Sequence, residues 1–137
     1  MIEINNLTNF VVDKSFFKGV AKKVLKGENK ERENLSIAFV VPAEMQKLNK
    51  KYRKKDKPTD VLSFEKVSHF KEEASEIIIC PSVVREKAKD SKLSLKKELA
   101  NVLIHGILHT LGYDHEISKI EEEKMFKKQE YYLSKVK

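Results

Sequence analysis

Between His105 and His115 the chain reads HGILHTLGYDH, and the three imidazoles in this short stretch are its sharpest chemical feature. His105 and His109 stand four residues apart, so on a helix their rings share one face about one turn apart and can reach a single ion. Gly112 permits a left-handed exit from that helix, and His115 beyond it can return to the same point. Neutral imidazoles are ligands for divalent transition metals, zinc among them. Three protein ligands leave a coordination position for water, whereas structural zinc is normally closed by four, often cysteines. Cys80, the sole cysteine, is distant in sequence, so a thiolate-closed structural site is disfavoured. Zinc lowers the pKa of bound water to about 7, which makes a three-ligand site hydrolytic in character. The competing account is three core histidines satisfied by backbone partners, and the combined spacing argues against it.

The spacing H-x-x-x-H-x-x-G-x-x-H is similar to that of the metzincin zinc peptidases. In those enzymes the residue after the first histidine is a glutamate, the general base that prepares water for attack on a peptide carbonyl. Here that position is Gly106. Peptide hydrolysis by the usual route therefore lacks its base. Three neutral ligands also leave the full charge of the metal uncompensated, which suits a phosphodiester oxygen better than a neutral amide.

Charge points the same way. With 28 Lys+Arg against 21 Asp+Glu the formal net charge is +7. The segment KLNKKYRKKDK, from Lys47 to Lys57, holds seven cations and one anion, a net +6. Concentrated positive charge draws polyanions with salt-dependent affinity, although a lysine run alone is also what a solvated helix face looks like. Tyr52 is interleaved among the cations, and Arg53 offers a planar fork suited to phosphate. The run flows into Pro58-Thr59-Asp60 ahead of an apolar strand.

The elements that must position these groups can be read from periodicity and caps. Ile2 to Leu7 alternates as a short strand, and Lys14 to Lys26 is an amphipathic helix closed by Gly27. Leu35 to Val41 reads as a buried strand, so strand, helix and strand predict a right-handed parallel crossover. Pro42 opens a helix running to about Lys54, followed by strands at Val61 to Phe64 and Ile77 to Cys80, with a polar linker from Glu65 to Glu76 between them. A helix from about Ser82 to Lys89 comes next. Ser94 caps a helix from Leu95 to about Leu111 that is apolar almost all round and therefore buried, and Ser118 with Glu121 caps the last helix. The expected fold class is α+β, a single domain over residues 1–137 with a mixed sheet of about four strands covered by about five helices, and a metzincin-like metal site on a buried helix.

Composition sets the outer limits. A chain of 137 residues with 40% hydrophobic and 36% charged side chains can bury one core and is too apolar for a disordered tail. It has no apolar run long enough to span a membrane, and MIEINNLTNF lacks the basic and then apolar pattern of a secretory signal. A lone cysteine excludes an internal disulfide. A reducing cytoplasm with no membrane partner is the expected setting.

At HGILHTLGYDH the sequence resembles the YbeY family of rRNA maturation endoribonucleases, whose hallmark is H-G-x-L-H-L-x-G-Y-D-H, with Thr110 as the single departure. A second family segment, N-x-x-Y-R-x-K-D-x-P-T-D-V-L-S-F, matches from Asn49 through Tyr52, Arg53, Lys55 and Asp56 to Pro58 and Phe64. Before the fourth strand the family often has Gly-Asp where this chain has Ser75-Glu76. The resemblance implies one zinc ion on His105, His109 and His115, with Arg53 near the site to stabilise the cleaved phosphate. It further implies single-strand endoribonuclease activity in maturation of small-subunit rRNA, especially its 3′ end, and in ribosome quality control. The small ribosomal subunit or its assembly factors would be partners. Arg53 and His109 are then the catalytic candidates, and Lys50, Lys51, Arg53, Lys54, Lys55 and Lys57 the RNA-binding ones. The attacking group is either zinc-bound hydroxide or the RNA's own 2′-hydroxyl. Asp114 is a candidate to orient a histidine, to accept a proton or to cap its turn, Tyr113 is read as packing under that turn, and His69 as an ordinary exposed histidine. A non-catalytic zinc-containing assembly factor is the alternative, and a metallopeptidase a weaker one.

Overall fold

A computed structural model of the chain describes residues 1–66 and 73–136, so His69 lies outside the described residues. The elements run β1 (Ile2–Asn6), α1 (Lys14–Gly27), β2 (Asn34–Phe39), α2 (Pro42–Arg53), β3 (Val61–Phe64), β4 (Ala74–Ile79), α3 (Pro81–Lys87), α4 (Leu95–Thr110) and α5 (Lys119–Ser134). The strands form one sheet in the order β1-β2-β4-β3. β2 pairs in parallel with β1 on one side and β4 on the other, whereas β3 runs antiparallel to β4. This is the expected α+β architecture with a mixed sheet. Among the described residues β3 forms one edge, paired with β4 alone.

Alternation along the strands sorts the core onto the two faces of the sheet. Leu35, Ile37 and Phe39 of β2 with Ile77 and Ile79 of β4 join Phe17, Val20 and Val24 of α1 and Leu103, Ile104, Ile107 and Leu108 of α4 in the main core. On the other face Leu62 of β3, Val40 and Cys80 meet Met45 of α2. Local chemistry explains most helix ends. Ser94 Oγ accepts from Lys97 N at 3.2 Å, Ser118 Oγ accepts from Glu121 N at 3.2 Å, and Gly112 adopts the left-handed φ of 101° foreseen for it.

Several boundaries differ from the sequence reading. Gly27 does not close α1: it is the last residue inside the helix, and the left-handed residue is Asn29, with φ of 59°. The glycine is required for another reason, because the ring of Tyr132 in α5 lies where a Cβ would be. β2 ends at Phe39 rather than Val41, since Val41 is already the cap residue of α2. β4 begins at Ala74, taking in residues assigned to the polar linker, because Ser75 and Glu76 find ladder partners in β2 and Glu76 also in β3. α3 spans Pro81–Lys87 and stops short of Lys89.

One polar cluster ties three distant pieces together. Tyr113 Oη donates to Glu28 Oε1 at 2.6 Å, Tyr132 Oη donates to Glu28 Oε2, and Lys128 Nζ lies 3.2 Å from the same oxygen. The Glu28 side chain is only 9% exposed. Burial by itself raises its pKa, but the hydrogen bonds from Tyr113, Tyr132 and Lys128 outweigh burial and hold the carboxyl below its ordinary 4.5. Burial, and then the bond to Glu28, pushes the Tyr113 phenol up to about 12. Because the folded-state pKa of Glu28 is depressed, its contribution is complete above 4.5 and drains away as pH falls through the lower folded value. Glu28→Gln should therefore cost about 1–3 kcal/mol at neutral pH. In urea titrations the gap between variant and wild type should close in acid, and a gap independent of pH would show that the charge of Glu28 contributes nothing.

Candidate metal centre

α4 is apolar on nearly every side and packs against the sheet through Gly106, where a Cβ would sit 3.0 Å from Ile77 Cγ2 and 3.1 Å from Ser63 Oγ. The close approach has two results. It brings the helix face bearing His105 and His109 alongside β3, and any side chain at position 106 would crowd Ile77 and Ser63. Leu111 then ends the helix, Gly112 reverses the chain, and the turn that follows returns His115 to the same face. The ring centroids of His105 and His109 are 5.5 Å apart, and each lies 5.3 Å from that of His115. One nitrogen from each ring can be chosen so that all three lie within 4.8 Å of one another.

The half-buried imidazoles suit a metal in their spacing, and His109 does so in its protonation as well. Burial, reinforced by the neighbouring His105 and His115, lowers the pKa of His109 against the opposing pull of Asp114 and Glu116. The ring thus stays neutral and keeps a lone pair. His115 Nδ1 is buried with no hydrogen-bond partner. Among the described residues this is the one cluster of three or more histidine, cysteine or acidic side chains close enough to share an ion. An all-nitrogen donor set of three fits one divalent ion of the zinc type with a position left open. Cys80 plays no part: it is buried beneath α2, and burial raises its thiol pKa.

Sequence reasoning missed the residues that hold the first histidine of the triad. Gln129 of α5 accepts through Oε1 from His105 Nδ1 at 3.0 Å, and Gln129 Nε2 in turn donates to Asn101 Oδ1 at 2.9 Å. A proton held on Nδ1 fixes the tautomer and leaves Nε2 for an ion. No local signal in the sequence links positions 101, 105 and 129; only the packing of α5 on α4 does. Gln129→Leu should weaken zinc affinity about 10- to 100-fold without loss of fold. Competition with a chromogenic chelator measures this directly, and unchanged affinity would show that the contact does not orient the ligand.

A cleft of about 460 Å³ opens in front of the histidines, bounded by β3 and by Tyr52, Arg53, Asp114 and Glu116. The structure therefore brings Arg53, the final residue of α2, to the same hollow as His105, His109 and His115. Lys54 adopts a left-handed φ of 58° and ends α2 there, while buried Asn49 donates from Nδ2 to Lys57 O at 2.8 Å and pins the loop that follows. Lys50, Lys51, Lys54, Lys55 and Lys57 are all exposed and stand outside the cleft lining. Lys50 lies 3.8 Å from Asp56, and Lys51 sits over the Tyr52 ring at 5.1 Å. Asp114 lines the cleft but also caps its own turn, with Oδ1 accepting from Glu116 N at 2.9 Å. Tyr113 faces away toward Glu28 and packs under the turn, as expected.

Comparison with known proteins places these features in context. A family model described as Endoribonuclease YbeY matches residues 3–137. A protein named Endoribonuclease YbeY from Thermotoga neapolitana is 43% identical over 103 residues, which is 75% of this chain and 67% of that protein. Another of the same name from a Sulfurihydrogenibium species is 34% identical over 128 residues, covering 91% and 84% respectively. A solution structure of a Thermotoga maritima protein aligns with a TM-score of 0.70 and 32% identity over 99% of this chain and 89% of that one.

Proposed function

Because the chain belongs to the endoribonuclease YbeY family, we propose that it cuts single-stranded RNA at one zinc ion held by His105, His109 and His115. The processing reaction is maturation of small-subunit rRNA, its 3′ end above all, with a role in ribosome quality control in the cytoplasm. The small subunit or its assembly factors are the partners. Residues 1–137 act as a single domain. The observation that carries this reading is that Arg53 and the three histidines line one cleft, so a cation and a metal-ligating cluster face the same volume.

When bound, zinc supplies Lewis-acid charge to a phosphodiester oxygen. Arg53 contributes a permanently charged guanidinium that stabilises negative charge growing on the phosphorus oxygens. Gln129 and the turn pinned through Tyr113 keep His105 and His115 oriented, so little reorganisation is needed when substrate arrives. Lys50, Lys51, Lys54, Lys55 and Lys57, outside the cleft, attract and hold flanking phosphates. A peptidase is disfavoured because the residue after the first histidine is Gly106, which supplies no general base, and a side chain there would crowd Ile77 and Ser63.

One observation favours a second reading, a non-catalytic assembly factor with structural zinc: the carboxylate of Asp114, next to the triad, is occupied with the Glu116 amide. Purified protein incubated with single-stranded RNA or with an unfolded protein, each with and without chelator, separates the readings. RNA should be cut only without chelator and the protein left intact, while circular dichroism shows the stripped chain still folded. Intact RNA in every tube, with loss of helix on chelation, would favour the structural role.

A further inference from the structure

A second hollow, of about 370 Å³, opens beside the cleft, between the start of β3 and the facing sides of α3, α4 and α5. The two share Asp60, Val61 and His105 as common walls. A chain laid across the histidines therefore has this hollow at its flank.

The two volumes differ in electrostatic character. The cleft sets Arg53 and three histidines able to hold a metal cation beside the carboxylates of Asp60, Asp114 and Glu116, whereas the second hollow presents the carboxylates of Asp60 and Glu98 with neither a guanidinium nor a place for a metal. Its one lysine, Lys87, already has its ammonium 3.6 Å from Asp60 Oδ2. A phosphate would meet net negative charge there. An uncharged ring would not. Val61, Val84 and Val102 supply apolar walls against which a flat heterocycle can lie. Ser91 Oγ donates to Glu98 Oε1 at 2.5 Å, which holds the carboxylate as a directed acceptor. Asn101 commits its Oδ1 to Gln129, which leaves its amide N–H groups as donors beside His105. An acceptor and a donor set between apolar walls match the edge of a nucleobase that carries an amino group next to a ring nitrogen, as cytosine and adenine do.

We propose that this hollow is a nucleobase subsite that receives the unstacked base flanking the scissile phosphate and prefers cytosine or adenine to uracil. It deepens the endoribonuclease reading and rests on it. The phosphate lies at the histidines and Arg53 while the neighbouring base turns into the hollow between Glu98 and Asn101. Bases of a single strand are free to splay in this way at little cost.

Cleavage of a randomised single-stranded RNA pool, with the new ends sequenced, tests the proposal wherever in a natural RNA the cut falls. Wild-type protein should show about tenfold enrichment of cytosine or adenine over uracil at one position adjoining the cut. Ala88→Phe, which fills the hollow, and Glu98→Gln, which replaces the acceptor with an amide at an unburied site, should each flatten that enrichment. Cutting by wild type with equal base frequencies, or with uracil enriched, overturns the subsite and leaves the nuclease reading standing. So does an unchanged preference in either variant. Absence of cutting by the zinc-loaded wild type overturns the nuclease reading and the subsite with it. Should Ala88→Phe fail to fold, Glu98→Gln and the wild-type end profile remain decisive.

Discussion

His109→Ala should lower RNA cleavage by about a thousandfold or more and leave the purified protein with far less than one equivalent of zinc. His109 is the middle histidine of the three, one helical turn from His105 and facing His115 at 5.3 Å between ring centroids. Removing it leaves two imidazoles that do not define a position for an ion. The fold should survive, because the ring is half-buried at the edge of the cleft and not part of the main core. Elemental analysis, circular dichroism and cleavage assays on the same preparation separate these effects. A full equivalent of zinc in the variant would remove the three-histidine model. Mapping rRNA ends in assembling subunits supplied with wild type or with His109→Ala extends the test to the proposed role, since identical ends would favour the assembly-factor reading.

Arg53→Ala should reduce kcat by about 10²- to 10³-fold with a much smaller change in KM, the pattern of a group whose interaction strengthens as charge develops. Its neighbours should behave differently. Lys54→Ala, in the same basic run but outside the cleft, should weaken binding modestly and lower the salt slope by about one, with kcat nearly unchanged. The contrast arises from placement. The left-handed residue at Lys54 ends α2 with Arg53 at the cleft and turns the following lysines outward. Arg53→Lys should recover only part of the loss, because an ammonium lacks the planar fork. A cleavage rate unaffected by Arg53→Ala would overturn its assignment.

Features written in local chemistry were legible in the sequence. The caps at Ser94 and Ser118, the glycine turn at Gly112 and the i, i+4 histidines depend on residues a few positions apart, and each appears as read. The class of fold was legible too, because alternating strands and amphipathic helices have distinct periods. Strand order was not. Nothing in VLSF tells that β3 lies antiparallel at the sheet edge, beyond β4, and it is this placement that makes it a wall of the cleft. The true start of β4 was hidden because Ser75 and Glu76 look like loop, yet Ser75 is buried and its Oγ accepts from Lys66 N at 3.3 Å. Gln129 and Glu28 were invisible for the same physical reason: their partners lie 24 residues away for Gln129, and 85 and 104 away for Glu28. Long-range polar contacts have no period to betray them. Gly27 was noticed for the wrong property, its backbone freedom, when what matters is the Tyr132 ring against it.

The Glu28 cluster carries a consequence for the order in which the molecule is built. The three histidines proposed as ligands lie within His105 to His115, so a nascent chain that has just exposed His115 already contains the complete motif. It does not yet contain the bracing. Tyr113 reaches Glu28, which Tyr132 and Lys128 must also grip, and His105 waits for Gln129. If the three histidines hold the metal as proposed, one fixed geometry for it requires α5 to have closed over α4. A chain that ends before that helix would display the signature of the family and lack the means to hold it still.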